Sequence, residues 1–130
     1  LKNYKYCRDV HLVYHLLCQG KGFYSSEIMG VYREHAGGIW SSVVESKRRE
    51  TSYNLYKELF EKQHNKYTKK AFLVRTISYF NYTLFHLKSY RDLSLCFRLY
   101  WKALSLTTSI KDIKYLLAAF LSPWLKSKLK

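Results

Sequence analysis

One proline and five glycines in 130 residues leave few places for loops, so the chain must sit in long regular elements. That scarcity excludes a collagen-like repeat and a low-complexity tail. Cysteine is scarce as well. Cys7, Cys18 and Cys96 are odd in number and widely spaced, which excludes a disulfide-stapled mini-protein and fits reduced thiols in a cytoplasmic chain. Long apolar runs are missing. The longest stretch free of charged or strongly polar side chains, Tyr115 to Leu121, falls far short of the roughly 20 residues that a spanning helix requires. Residue 1 is Leu, followed by polar Lys2 and Asn3. No signal peptide reads from this start, and the absent methionine suggests a piece of a longer chain. Acid is the last deficit: 9 Asp and Glu against 23 Lys and Arg give a net charge of +14.

What is present is apolar and aromatic. Hydrophobic residues make up 48% of the chain and aromatics 18%, enough for a domain to bury roughly two-thirds of its unfolded surface. The charge is uneven: residues 1–65 carry a net +3, and residues 66–130 a net +11, with only Asp92 and Asp112 as acids. A basic half rich in tyrosine suits nucleic acid, an anionic membrane surface, or plain solubility. Composition does not choose among them.

Periodicity predicts a helix over Arg8–Gln19, where Val10, Leu12, Val13, Leu16 and Leu17 recur at helical spacing before Gly20. Two short strands are expected over Gly22–Ser25 and Ile28–His35, followed by a loop at Ala36-Gly37-Gly38. Four helices should follow: Ser42–Gln63, Thr68–Leu87, Ser89–Leu106 and Ile110–Leu121, the last stopped by Ser122-Pro123. In the second of these, Phe72, Ile77, Phe80, Leu84 and Leu87 are the expected anchors. No internal repeat is visible.

The densest chemistry lies between Asp9 and Trp40. Asp9 falls at a helix start, where the macrodipole favours a carboxylate. Arg33 and His35 share one face of an extended strand. Arginine offers a planar fork for phosphate, and neutral histidine a metal ligand or a donor. Gly37 and Gly38 directly after them let backbone approach an anionic ligand. A carboxylate in the same cleft can take the proton of an attacking hydroxyl. These parts describe transfer onto an alcohol from a phosphate-activated donor.

Cys7-Arg8-Asp9 with Leu12, Gly20-Lys21, Phe23-Tyr24, Glu27, Met29-Gly30-Val31-Tyr32-Arg33, His35, Gly37-Gly38 and Ile39-Trp40-Ser41 resembles the C-terminal part of bacterial family 2 glycosyltransferases. Those are inverting enzymes of the GT-A fold. The similarity covers residues 6 to about 60, and more loosely the tail at Lys102-Ala103-Leu104, Leu116-Leu117 and Ser122-Pro123. The resemblance implies a mainly α (α+β) chain: residues 1–41 end a GT-A catalytic domain, and 42–130 form a helical extension. It makes Asp9 the catalytic base and sets Arg33 and His35 beside the donor diphosphate and its Mg2+ or Mn2+, with His35 a possible metal ligand. Gly37, Gly38 and Trp40 become the active-site loop. The implied partners are a nucleotide-sugar donor and a cell-surface glycan or lipid-linked acceptor, at the inner face of the membrane. The family's Asp-x-Asp occurs nowhere in this chain, so the nucleotide-binding half is expected to precede Leu1, and the fragment alone is expected to be inactive.

Each residue also has a plainer reading. Asp9 can be an ordinary cap, Arg33 and His35 ordinary strand residues, and Trp40 a core anchor. His11 and His15 at i and i+4 lack a third ligand nearby and read as helix surface or core, Glu27 reads as structural, and Lys47-Arg48-Arg49 as a solvated face. The rival class is a basic all-helical module binding nucleic acid or protein. Its basic residues, however, are scattered over four helices, whereas a nucleic-acid reader groups them around one element; nucleic acid is therefore not the expected partner. An anionic membrane surface is, through Ile110, Ile113, Leu117 and Leu121 with Lys111, Lys114 and Trp124.

Overall fold

The computed structural model describes residues 4–6, 8–23, 25–27, 30, 42–114 and 117, and these are mainly helical. Helix α1 runs Asp9–Gln19, α2 Glu45–Gln63, α3 Lys66–Phe85 and α4 Tyr90–Leu106. Residues 110–114 and 117 are helical too. The strands expected over 22–25 and 28–35 fall mostly outside the described residues. Among the described residues there is no strand, and Gly22, Phe23 and Ser25 carry no regular structure.

Local chemistry sets the helix ends. Helix α2 begins at Glu45 rather than Ser42, with Val44 as its N-cap and Glu45 in its first turn, where a carboxylate meets the positive end of the dipole. His64 closes α2 in the left-handed region at φ 46° and donates its N–H to the Phe60 carbonyl. Asn65 then opens α3 by accepting the N–H groups of Tyr67 and Thr68, each at 3.0 Å. This cap starts α3 at Lys66, two residues before the expected Thr68. Ser89 and Asp92 cap α4 reciprocally: the Ser89 N–H donates to the Asp92 carboxylate at 3.0 Å, and the Asp92 N–H to Ser89 Oγ at 3.4 Å. Ser109 and Asp112 repeat the device before 110–114, at 3.2 Å each way.

Short connections between α2, α3 and α4 make neighbouring helices antiparallel. Helix α3 lies between the other two. Phe72, Leu73 and Ile77 of α3 meet Ala103 and Leu106 of α4, while Phe80 meets Cys96 and Leu99. Tyr53 of α2 packs on both groups. The buried hydroxyls of Thr76 and Thr83 donate to the carbonyls of Phe72 and Tyr79, at 2.8 and 2.9 Å, which removes the cost of burying them unpaired. Of the anchors expected on α3, Phe72, Ile77 and Phe80 are buried, whereas Leu84 and Leu87 are exposed. No helix among the described residues is long and apolar enough to cross a membrane.

Candidate functional site

Helix α1 carries Asp9 in its first turn. The carboxylate Oδ1 accepts the N–H of Val10 at 3.0 Å and is exposed to solvent. It stands on the rim of a cleft of about 400 Å³ between α1, α2 and α3. Val10, Val13, Leu17 and Leu59 form apolar walls, and Tyr14, Tyr56 and Tyr67 add phenol rings. A cleft with this lining can take a ligand that offers both carbon faces and hydroxyls. Asp9 is the acidic group on it.

Polar contacts made by residues far apart in sequence hold α1 against α2 and α3. Asn65 Nδ2 donates to the Tyr14 hydroxyl at 2.6 Å. Burial and a hydrogen bond with Cys18 raise the Tyr14 phenol above its ordinary pKa, against the opposing pull of Asn65. Gln63 Nε2 donates to the Tyr4 hydroxyl at 2.9 Å, and that hydroxyl lies 3.2 Å from His15 Nε2. The Lys62 ammonium sits 4.3 Å from the Tyr4 ring centre. Glu58 ties down the segment before α1, accepting the Lys5 N–H at 2.8 Å and the Tyr6 N–H at 3.0 Å, with Lys62 Nζ at 3.2 Å. Burial pushes the Glu58 carboxyl up, but these donors and Lys62 together bring it below the ordinary carboxylate value.

His11 is fully buried beneath Tyr4, with ring centres 4.2 Å apart. Its Nδ1 accepts the N–H of Arg8 at 3.2 Å, which places the neutral ring's proton on Nε2. Nε2 meets no acceptor among the described residues. Burial is the main cause holding the His11 pKa below the ordinary imidazole value; His15 and Lys62 add to this, while Glu58 and the Arg8 backbone oppose it.

The positions singled out in the sequence divide cleanly. Asp9 lies at the expected helix start and lines the cleft. Arg33, His35, Gly37, Gly38 and Trp40 lie outside the described residues. His11 is a core residue and His15 a hydrogen-bonded one, and among the described residues no group of His, Cys, Asp or Glu side chains could hold a metal ion. Glu27 is exposed. The Lys47-Arg48-Arg49 block is a paired surface: Lys47 meets Glu50 at 2.8 Å, and Arg49 meets Glu45 at 2.6 Å. Sequence reading missed Tyr4, Glu58 and Gln63. Glu58 and Lys62 show in sequence only as an ordinary i,i+4 pair, and nothing there points from them to residues 4–6. Comparison with protein-family models, curated proteins and solved structures gives no match.

Proposed function

We propose that this chain is the C-terminal part of an inverting glycosyltransferase, transferring sugar from a nucleotide-sugar to a hydroxyl of a cell-surface glycan or lipid-linked acceptor. The observation that carries the reading is Asp9, a carboxylate in the first turn of α1 on the rim of an apolar, tyrosine-walled cleft. In the proposed reaction Asp9 takes the proton of the acceptor hydroxyl. The oxygen attacks the anomeric carbon from the face opposite the nucleotide diphosphate, a C–O bond forms, and the bond to the diphosphate breaks with inversion. Tyr56 and Tyr67 line the cleft that would receive the sugar ring of the acceptor.

The exposed apolar flank of α1 supports the same reading. Leu12 and Leu16, which do not line the cleft, are about half exposed, as expected of a helix that packs on a further part of a larger catalytic domain. In this reading the donor, a divalent cation, Arg33 and His35 would make up the donor side of the site. The proposed reaction takes place at the cytoplasmic face of the membrane.

The test is Asp9→Asn in the full-length transferase. Asparagine caps a helix as well as aspartate does, so the fold is kept while the base is removed. Turnover should fall by about 10²–10⁴-fold, with nucleotide-sugar affinity unchanged. Near-normal turnover would show Asp9 to be a cap and nothing more.

A further inference from the structure

On α2 the basic residues have acids on their own helix: Lys47 with Glu50, Arg49 with Glu45, Lys57 with Glu61, and Lys62 with Glu58. The end of the bundle where α3 begins is built otherwise. Lys66, Lys69 and Lys70 project from its first turns, and Lys111 comes up beside them from the 110–114 helix. None of these four ammonium groups has a carboxylate within ion-pair distance among the described residues. Asp112 lines the same surface, but its Oδ2 already accepts the N–H groups of Thr108 and Ser109, at 3.2 Å each.

The lysines rim two adjoining clefts of about 330 and 340 Å³, which share Lys70, Leu73 and Asp112. The segment that brings Lys111 also carries Ile110, Ile113 and Leu117, which are 73%, 50% and 55% exposed. Tyr67 is exposed as well. Lysines without carboxylate partners, Lys66 lying 5.0 Å from the Tyr67 ring centre, together with exposed aliphatic side chains on the segment that carries Lys111, match an interface where anionic headgroups overlie hydrocarbon. Nucleic acid fits less well, because among the described residues the two clefts are lined by no arginine fork and by Tyr67 as their aromatic stacking surface.

We infer that the start of α3 and the helical residues 110–114 and 117 together form a docking surface for an anionic phospholipid bilayer. Lys66, Lys69, Lys70 and Lys111 meet the headgroups, and Ile110, Ile113 and Leu117 enter the interface. The inference is independent of the transferase reading, since it is read on vesicles with no donor or acceptor present.

The experiment is co-sedimentation of the 130-residue chain with phosphatidylcholine vesicles, with and without phosphatidylglycerol. The chain should pellet with the anionic vesicles only and should be released as ionic strength rises. Lys66→Gln/Lys69→Gln/Lys70→Gln should weaken partitioning on the order of a hundredfold. Ile113→Ser should weaken it too, and Lys57→Gln should leave it unchanged. Circular dichroism checks that each variant stays helical, and salt release of the unmodified chain tests the charge term without any variant. Equal pelleting with both vesicle types, no pelleting, insensitivity to salt, or tighter binding to homopolymeric RNA than to anionic vesicles would each overturn the inference.

Discussion

The backbone N–H of Arg8 donates to Nδ1 of His11 at 3.2 Å, so a buried imidazole holds the N-terminus of α1 where a carboxamide or carboxylate usually would. Only neutral imidazole can accept that bond. Tyr4 covers the ring, and Glu58, His15 and Lys62 face it.

Acid should therefore loosen α1 first. The folded pKa of His11 lies below its unfolded value, so the folded state binds fewer protons. Its contribution is complete above about pH 6.5, the ordinary imidazole value, and declines as pH falls through the folded value. Urea unfolding measured stepwise below about pH 6.5 should show this decline. His11→Gln should flatten it, and an unchanged slope in that variant would assign the effect to another group.

Glu58 titrates in a separate, lower window. Its folded pKa is depressed, so its stabilisation is present above the ordinary carboxylate value and lost as pH falls through the folded one. Its side chain is only 16% exposed. Glu58→Ala leaves the Lys5 and Tyr6 N–H groups without their acceptor, at a cost of about 1–3 kcal/mol. Amide hydrogen exchange at Lys5 and Tyr6 should accelerate, while that of Phe72 on α3 stays slow. Unchanged exchange at residues 5 and 6 would show the segment to be held by other contacts.

The packing of α3 predicts a sharp contrast between two phenylalanines. Phe72 is fully buried, with Tyr53 at 5.3 Å, Phe60 at 5.9 Å and the Lys102 ammonium 5.7 Å from its ring centre. Phe72→Ala should cost about 3–5 kcal/mol. Phe97 on α4 is 63% exposed, and Phe97→Ala should stay within about 0.5 kcal/mol of the parent. Denaturant midpoints measure both, and equal losses would contradict the core described above.

Within the proposed transferase, the two sides of the site should separate kinetically. Arg33→Ala and His35→Ala should raise KM for the nucleotide-sugar and blunt the response to divalent metal, whereas Asp9→Asn acts on kcat. A kcat effect alone from the Arg33 variant would remove it from the donor side.

Helices were legible where their signals are local. The expected helix Ser89–Leu106 matches α4 closely because its capping box, Ser89 with Asp92, lies within four residues of chain. Asn65 was missed as the start of α3 because its bonds reach Tyr67 and Thr68 ahead of the first apolar residue that periodicity can register. Leu84 and Leu87 fit the helical spacing of a core yet are exposed, since period describes a face and not what covers it. Asp9 could be placed at a helix start from sequence. The cleft beside it could not, because Tyr56 and Tyr67 arrive from two other helices, and spacing along one segment carries no record of that meeting.

Asp92 and Asp112 are the acids of residues 66–130, and both have their oxygens turned to backbone N–H groups at helix starts. The cations of that half consequently repel one another with little internal compensation. Added salt should therefore raise the melting temperature of the bundle by screening this repulsion, while the same salt strips the chain from anionic vesicles. Fold and docking surface thus respond to ionic strength with opposite sign.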